Sequence, residues 1–250
     1  MQAESRQTIA IIPAAGSGVR MGGVCKALLE IDGLSLVERS LMNIAASGLI
    51  SRVLICVRDP DRRDFEALRL DRRYFDCQVD LVPGGEVRQA SVRNALERLR
   101  EDGAADEALL VLVHDAARCL VSSNLVRRCI DAAREFGAVT AAIPLVDSLK
   151  RAGSDLEVQE SVPRENIWCV QTPQVFKFDL LYAAHRKSPC GSATDDASLV
   201  ERLHAVRIVP GERLNFKVTT QEDLELARAV LVAGTEICPS GSCEAAARLS

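Results

Sequence analysis

Apolar and polar positions alternate along this chain in blocks. Ile9 to Ile12 is an uninterrupted apolar run, as expected of a strand buried on both faces, because a parallel sheet covered by helices has no wet side. Further strands are expected at Arg52 to Val57, Val79 to Val82, Ala108 to Val113 and Val139 to Ile143. Between them apolar residues return at helical spacing. Leu36, Leu41 and Ile44 lead to Gly48, a short arginine-rich helix follows Asp59-Pro60, Glu86 to Arg100 carries Val87, Ala90, Ala95 and Leu99, and Ser122 and Ser123 open a helix that ends near Gly137. This alternation predicts an α/β fold, a Rossmann-like and mostly parallel sheet flanked by helices, with ligands beyond the carboxyl ends of the strands.

From Pro144 the pattern changes. Asp147 to Asp155, followed by Leu156 and Val158, reads as a β-hairpin around Gly153-Ser154. This protruding arm, about residues 146–166, either covers the site or embraces a partner subunit. Ile167 to Phe176 is an extended, proline-limited piece. Helices are expected at Lys177 to Arg186 and Asp195 to Leu203, short strands at Ala205 to Val209 and Asn215 to Val218, and a closing helix at Thr220 to Leu231. Residues 1–233 form a single domain, and 234–250 is a tail expected to hold little fixed structure.

Composition narrows the function. With 250 residues, 48% of them hydrophobic, one large core is the default. A net charge of −4 supplies no basic field for nucleic acid, and no apolar run reaches the roughly eighteen residues of a membrane span. The polar start, Met1 to Thr8, lacks the apolar core of a signal peptide, so a cytoplasmic protein is expected. Its nine cysteines form no Cys-x-x-Cys pair and read as buried or tail thiols rather than a metal site.

The candidate chemistry starts at Pro13 to Lys26. Ala14, Ala15, Gly16, Ser17 and Gly18 give backbone N–H groups close access to a polyphosphate, and Arg20 and Lys26 add charge. A dinucleotide fingerprint would need glycine where Met21 stands, and a Walker loop would need Gly-Lys-Ser/Thr around Lys26. What remains resembles the loop of nucleotidyltransferases, which attack the α-phosphate of a nucleoside triphosphate. A second turn, Gly84-Gly85-Glu86-Val87-Arg88, places Arg88 and Ser91 on one face near a helix start. They hold base or sugar-phosphate, or simply cap the helix. At the end of the fourth strand, Asp115 suits Mg²⁺, which takes one or two protein carboxylates and completes its shell with phosphate and water; an N-cap or a pair with Arg118 is the alternative. His114 reads as structural. Only five of thirty-one basic residues are lysines, among them Lys26 and Lys217 in segments that face phosphate.

Taken together, these segments resemble the methylerythritol-phosphate cytidylyltransferases over residues 8 to 232. The resemblance rests on Ala14 to Gly22 with Lys26, Gly84 to Arg88 with Ser91, His114 to Arg118, Asp147 to Arg151, Thr172-Pro173-Gln174, Thr194 to Ala197 and Asn215 to Thr219. It implies CMP transfer from CTP to 2-C-methyl-D-erythritol 4-phosphate with release of pyrophosphate, a divalent metal (Mg²⁺), and a homodimer with interlocking arms. By position, Pro13 to Gly18, Gly84, Gly85, Arg88, Ser91 and Ala116 would form the nucleotide pocket, and Asp115 would hold the metal. Arg20, Lys26 and Lys217 would neutralise the α-phosphate, while Ser148, Arg164, Thr172 and Thr194 would position the acceptor, some from the neighbouring subunit.

Cys25 and Cys119 stand where the family usually has proline, and Ser148 where it has threonine. Without the ring that fixes φ, Lys26 is expected to be more mobile. Ribitol-5-phosphate cytidylyltransferases share the nucleotide loops, and a nucleotide-binding regulator with a decayed site is the reading from another class.

Overall fold

The computed structural model describes residues 7–16, 25–68, 70, 77–104 and 108–237, the last three for backbone alone. Strand β1 (Thr8–Pro13) leads through a 3-10 turn (Lys26–Leu28) into a two-stranded ladder, β2 (Glu30–Ile31) and β3 (Leu34–Ser35). Helix α1 (Leu36–Ala45) follows, started by a capping box in which Ser35 and Glu38 satisfy each other's backbone N–H. Next come β4 (Arg52–Val57), a 3-10 turn and α2 (Arg62–Ala67), β5 (Gln78–Pro83), α3 (Arg88–Glu101), β6 (Leu110–Val113) and α4 (Ser123–Phe136). The chain continues with β7 (Ala138–Pro144), β8 (Leu149–Ala152), β9 (Val158–Val162), β10 (Trp168–Lys177), α5 (Phe178–Lys187), α6 (Ala197–Val200), β11 (Arg207–Pro210) and α7 (Gln221–Ile237).

Seven strands form one sheet in the order β11-β7-β10-β6-β1-β4-β5. β1 pairs parallel with both β4 and β6, β4 with β5, and β11 with β7, whereas β10 runs antiparallel to β6 and β7. The order of strands reverses at β1, and that switch point opens a crevice between the loops after β1 and β6.

The expected apolar runs are buried on both faces. Ala10 and Ile12 of β1, with Val53 and Ile55 of β4, pack under α1 and α4, while Ile9, Ile11, Leu54 and Cys56 face α3, α5 and α6. Neighbouring residues on a strand point to opposite faces, so these strands have no polar side. A smaller cluster, Ile31, Leu36, Cys119, Val218, Leu224 and Ala227, seats α7 on the β2–β3 ladder.

Four expectations need correction. Asn215 to Val218 forms no strand; Asn215 instead donates to the Thr172 carbonyl at 2.8 Å, and the Val218 N–H reaches Ala117 O at 2.8 Å. The helix expected from Asp195 to Leu203 is regular only over Ala197–Val200, where the Asp195 carboxylate accepts from Ser198 N–H at 2.9 Å. The helix expected from Glu86 starts at Arg88. The closing helix runs past Gly234 to Ile237, so the tail expected from residue 234 is helical in its first four positions; residues 238–250 lie outside the described residues. The hairpin does form, with Leu149 opposite Val162 and Arg151 opposite Glu160.

Gly84 locks the turn after β5 against the turn after β1. A Cβ there would stand 2.3 Å from Ala15 Cβ, too close to tolerate, and 3.2 Å from Val57 O, a tight contact. Gly84→Ala is expected to cost about 1–3 kcal/mol through this overpacking, read as a lower midpoint in urea denaturation at an unchanged slope.

Candidate active site

Asp115 lies just past the end of β6, and its carboxylate is where three distant segments meet. Arg88 Nε, at the start of α3, donates to Oδ1 at 3.0 Å, and Lys217 Nζ, beyond β11, donates to Oδ2 at 2.8 Å. Arg88 Nη1 reaches Asp196 Oδ2 at 2.6 Å, and Nη2 has no hydrogen-bond partner among the described residues. Burial opposes ionisation of Asp115, but the Arg88 and Lys217 charges and their hydrogen bonds outweigh it and hold the carboxyl below the usual carboxylate range. For Arg88, burial works against the charge and is overcome by Asp196 and Asp115, so the guanidinium is held more firmly protonated than usual.

Behind Asp115 runs a chain of neutral hydrogen bonds. Its backbone N–H donates to Thr172 Oγ1 at 3.0 Å, Thr172 lies 3.1 Å from His114 Nδ1, and His114 Nε2 lies 3.2 Å from Arg118 O. Only one tautomer suits this order: Nε2–H donates to the carbonyl, and Nδ1 accepts from the threonine hydroxyl. His114 is fully buried, and burial pushes its pKa down to about 4. The structural reading of His114 fits this geometry. The Thr172 hydroxyl is occupied by protein groups on both sides.

Two clefts share these residues. The first, about 400 Å³, is lined by Pro13, Ala14, Ala15, Gly16, Lys26, Gly85, Arg88, Ser91, Asp115, Ala116 and Lys217, among others; its volume suits a small-molecule ligand. The second runs along Arg118, Thr172, Gln174, Thr194 and Asp195, with Arg88, Asp115 and Lys217 as the shared wall. Within the first, a Cβ added to Gly16 would meet no described atom within 4 Å, so packing does not demand glycine there. Ser91 Oγ accepts from Gly85 N–H at 3.0 Å and donates to Val87 O at 3.3 Å, which fixes the second turn from within. Gly85 itself has no room for a side chain, since a Cβ would fall 2.3 Å from that of Ala90. Lys26 Nζ donates to Thr219 O at 3.1 Å and so faces the segment that carries Lys217.

Most of the expected site residues therefore converge. Gly84 sits behind the first cleft rather than in its wall. Ser148 and Arg164 line neither cleft of this chain; both are exposed at the hairpin, where Arg164 donates to Val146 O. Ser17, Gly18 and Arg20 lie outside the described residues. Arg118 does not pair with Asp115; it donates to Asn215 O at 2.8 Å. Cys25, in place of the usual proline, has φ −61°, the value a proline ring would impose. Its thiol is buried and lies 3.6 Å from Ala14 O, so Cys25 adopts that backbone angle without a ring.

Three contributors escape a reading of the sequence. Arg118 shows there only as a possible partner for Asp115, Asp196 only as part of the Thr194 to Ala197 motif, and His185 not at all. Asp196 meets Arg88 across 108 positions of chain, and His185 reaches Asp196 from the preceding helix; no local spacing signals such contacts.

For a metal, the donor set is small. Among the described residues no group of three or more His, Cys, Asp and Glu side chains is placed to hold an ion. A single carboxylate suits Mg²⁺ when phosphates complete the shell. Asp115 can serve once Lys217, whose side chain is 44% exposed, moves off Oδ2.

A glycine-lined crevice at the switch point of a parallel sheet, walled by a carboxylate and several cations, defines a nucleotide-binding transferase of the α/β class. The sequence model of IspD, 2-C-methyl-D-erythritol 4-phosphate cytidylyltransferase, matches residues 8–233. The chain belongs to that family. It is 40% identical over 228 residues to the protein of that name from Pelotomaculum thermopropionicum, covering 90% of this chain and 94% of the relative. The Deinococcus radiodurans protein of the same name is 42% identical over 229 residues, with 90% of each chain covered. The crystal structure of the Thermus thermophilus 2-C-methyl-D-erythritol 4-phosphate cytidylyltransferase superposes with a TM-score of 0.70 at 34% identity, covering 90% of this chain and 98% of the other.

The buried neutral His114 makes stability depend on pH. Between its ordinary pKa of 6.5 and its folded value of about 4, the unfolded chain carries a proton that the folded chain lacks. Stability therefore falls as pH falls through that window, by an amount on the order of 3 kcal/mol, and this contribution levels off below it. The urea midpoint of the wild type should drop more between pH 7 and 4.5 than that of His114→Asn; equal drops would contradict the assignment.

Proposed function

We propose that the first cleft holds CTP and the second the acceptor, 2-C-methyl-D-erythritol 4-phosphate, and that Asp115 stands at the point of transfer. The single observation that carries this reading is that Arg88, Asp115 and Lys217 form the common wall of both clefts. The family is a cytidylyltransferase family of isoprenoid-precursor synthesis, so the reaction joins these two substrates. An oxygen of the acceptor phosphate bonds to the α-phosphorus of CTP, the bond from that phosphorus to the bridging oxygen breaks, and pyrophosphate leaves. The acceptor is already ionised, so no general base is required; the protein positions the reactants and neutralises charge.

In this reading Ala14 to Gly18, Gly85 and Ala116 shape the nucleotide site, and Gly84 and Ser91 hold its second turn. Lys217 leaves Asp115 for the α-phosphate, joined by Lys26 and Arg20. Asp115 would then hold a divalent cation, Mg²⁺, which neutralises the triphosphate when bound. Thr172 fixes Asp115, while Thr194 and Arg118 face the acceptor. The hairpin, with Leu156 and Val158 exposed, is the arm of a homodimer, and brings Ser148 and Arg164 to the site of a second copy. We read residues 1–233 as one domain and place the enzyme in the cytoplasm; the seven described cysteines, all free, suit a reducing compartment. No helix of the described residues is long and apolar enough to cross a membrane.

Pyrophosphate release tests this assignment. With CTP and Mg²⁺, methylerythritol phosphate should be preferred over ribitol 5-phosphate, and the reverse preference would overturn the acceptor. Lys217→Ala and Lys26→Ala should each lower kcat/KM by about 10²–10³-fold, the usual loss for a donor aimed at transition-state charge. Unchanged rates in both would remove the proposed chemistry.

A further inference from the structure

Asp223, in the first turn of α7, has no part in the roles described so far. Its Oδ2 accepts three hydrogen bonds, from Thr219 N–H at 2.7 Å, Thr219 Oγ1 at 2.7 Å and Thr220 N–H at 2.9 Å. Thr220 Oγ1 accepts in return from Asp223 N–H at 3.2 Å, which completes the reciprocal cap of a helix start. Capping needs only the bonds to Thr220. The two bonds to Thr219 reach one residue further back, into the wall of the first cleft. The helix that carries Asp223 is itself fixed, because Leu224 and Ala227 are buried in one cluster with Ile31, Leu36 and Cys119.

The peptide between Thr219 and Thr220 joins this cap to the site. A peptide unit is planar, and in the trans form its N–H and C=O point in opposite directions. Asp223 holds the N–H, so the carbonyl is aimed away from that carboxylate, and Lys26 Nζ donates to it at 3.1 Å. An ionised acceptor on one side of a peptide strengthens the carbonyl on the other, since hydrogen bonds in a chain polarise one another. The N–H of Val218 is held as well, by Ala117 O at 2.8 Å. Three successive N–H groups after Lys217 are therefore fixed. An ammonium has three donors, so the bond from Lys26 to Thr219 O need not break when a phosphate binds.

We propose that Asp223 is a positioning residue: by holding the Thr219–Thr220 peptide it points the Thr219 carbonyl at Lys26 and keeps that ammonium across the nucleotide cleft. The inference rests on the role given to Lys26 above. Without the carboxylate the peptide loses its hold on α7, and Lys26 its fixed acceptor.

Pyrophosphate release from CTP, Mg²⁺ and methylerythritol phosphate tests it, beside urea midpoints. Asp223→Ala should lower kcat about tenfold, less than loss of the ammonium itself, and cause no further loss in a Lys26→Ala background, because both changes act through one contact. Asp223→Glu, which keeps a carboxylate for the N–H of Thr220, should retain most of the rate. Thr220→Ala, which removes the cap hydroxyl and spares the bonds to Thr219, should lower the urea midpoint but leave kcat unchanged. Should Asp223→Ala fail to fold, Asp223→Asn is read in the same cycle, with a loss of about threefold as charge-assisted bonds weaken. Equal losses of kcat in Thr220→Ala and Asp223→Ala would reduce Asp223 to a helix cap and overturn the inference, as would losses that multiply in the double variant. An unchanged kcat in Asp223→Ala beside a slow Lys26→Ala overturns this inference alone. An unchanged rate in Lys26→Ala removes the role of Lys26, and this inference with it.

Discussion

A carboxylate removed from water at the end of β6 is the constraint around which the rest is arranged. Taking such a charge out of water costs several kcal/mol unless cations and hydrogen bonds replace the solvent. Asp115 meets that requirement with Arg88 and Lys217, drawn from 27 and 102 positions away in sequence, while the Thr172 hydroxyl, 57 positions away, accepts from its backbone N–H. Arg88 occupies the first residue of α3, where the helix dipole disfavours a cation. Two carboxylates, Asp115 and Asp196, account for its presence there.

Topology delivers these segments to one place. Because strand order reverses at β1, the loops after β1 and β6 part and leave a crevice, and the turn after β5 closes one side of it. Gly84 permits the contact between the first two glycine turns, since a side chain there would strike Ala15. On the other side Asn215 and Gln171 hold the segment before Lys217. Gln171 Oε1 accepts from Glu212 N–H and from Asn215 Nδ2, each at 3.2 Å. These side-chain bonds take the place of the strand ladder expected there, and a ladder would have turned alternate side chains away from the crevice.

Much of this was legible in the sequence. Runs such as Ile9 to Ile12 can be read because a strand covered on both faces has no alternative composition, and Ser122 and Gly137 mark the ends of α4 because an N-cap hydroxyl and a left-handed glycine answer local backbone needs. Even the reversal of β10 follows from a legible feature. Between β7 and β10 the chain has a hairpin and no crossover helix, and a parallel neighbour needs a crossover. What could not be read depends on contacts between remote side chains. Asp196 next to Asp195 gives no local sign of which one reaches Arg88 and which caps α6, and His185 in α5 looks like any residue in the last turn of a helix, where a basic side chain is favoured anyway.

The charge balance of the crevice explains why neutrality at His114 matters. Asp115 and Asp196 are matched by Arg88 and Lys217, so this quartet carries no net charge. A protonated His114 would add a third cation on the residue next to Asp115; burial prevents this, outweighing Asp115 and the bond to Arg118 O, which both favour the protonated ring. In the assignment proposed above, an arriving triphosphate would meet Arg88 and Lys217 already committed to carboxylates and would gain Lys217 as that lysine exchanges Asp115 for phosphate, leaving Asp115 Oδ2 able to hold a divalent cation. The pairing of Lys217 with Asp115 would then hold positive charge in a form released by the substrate's own negative charge, which would couple nucleotide binding to the opening of the metal position.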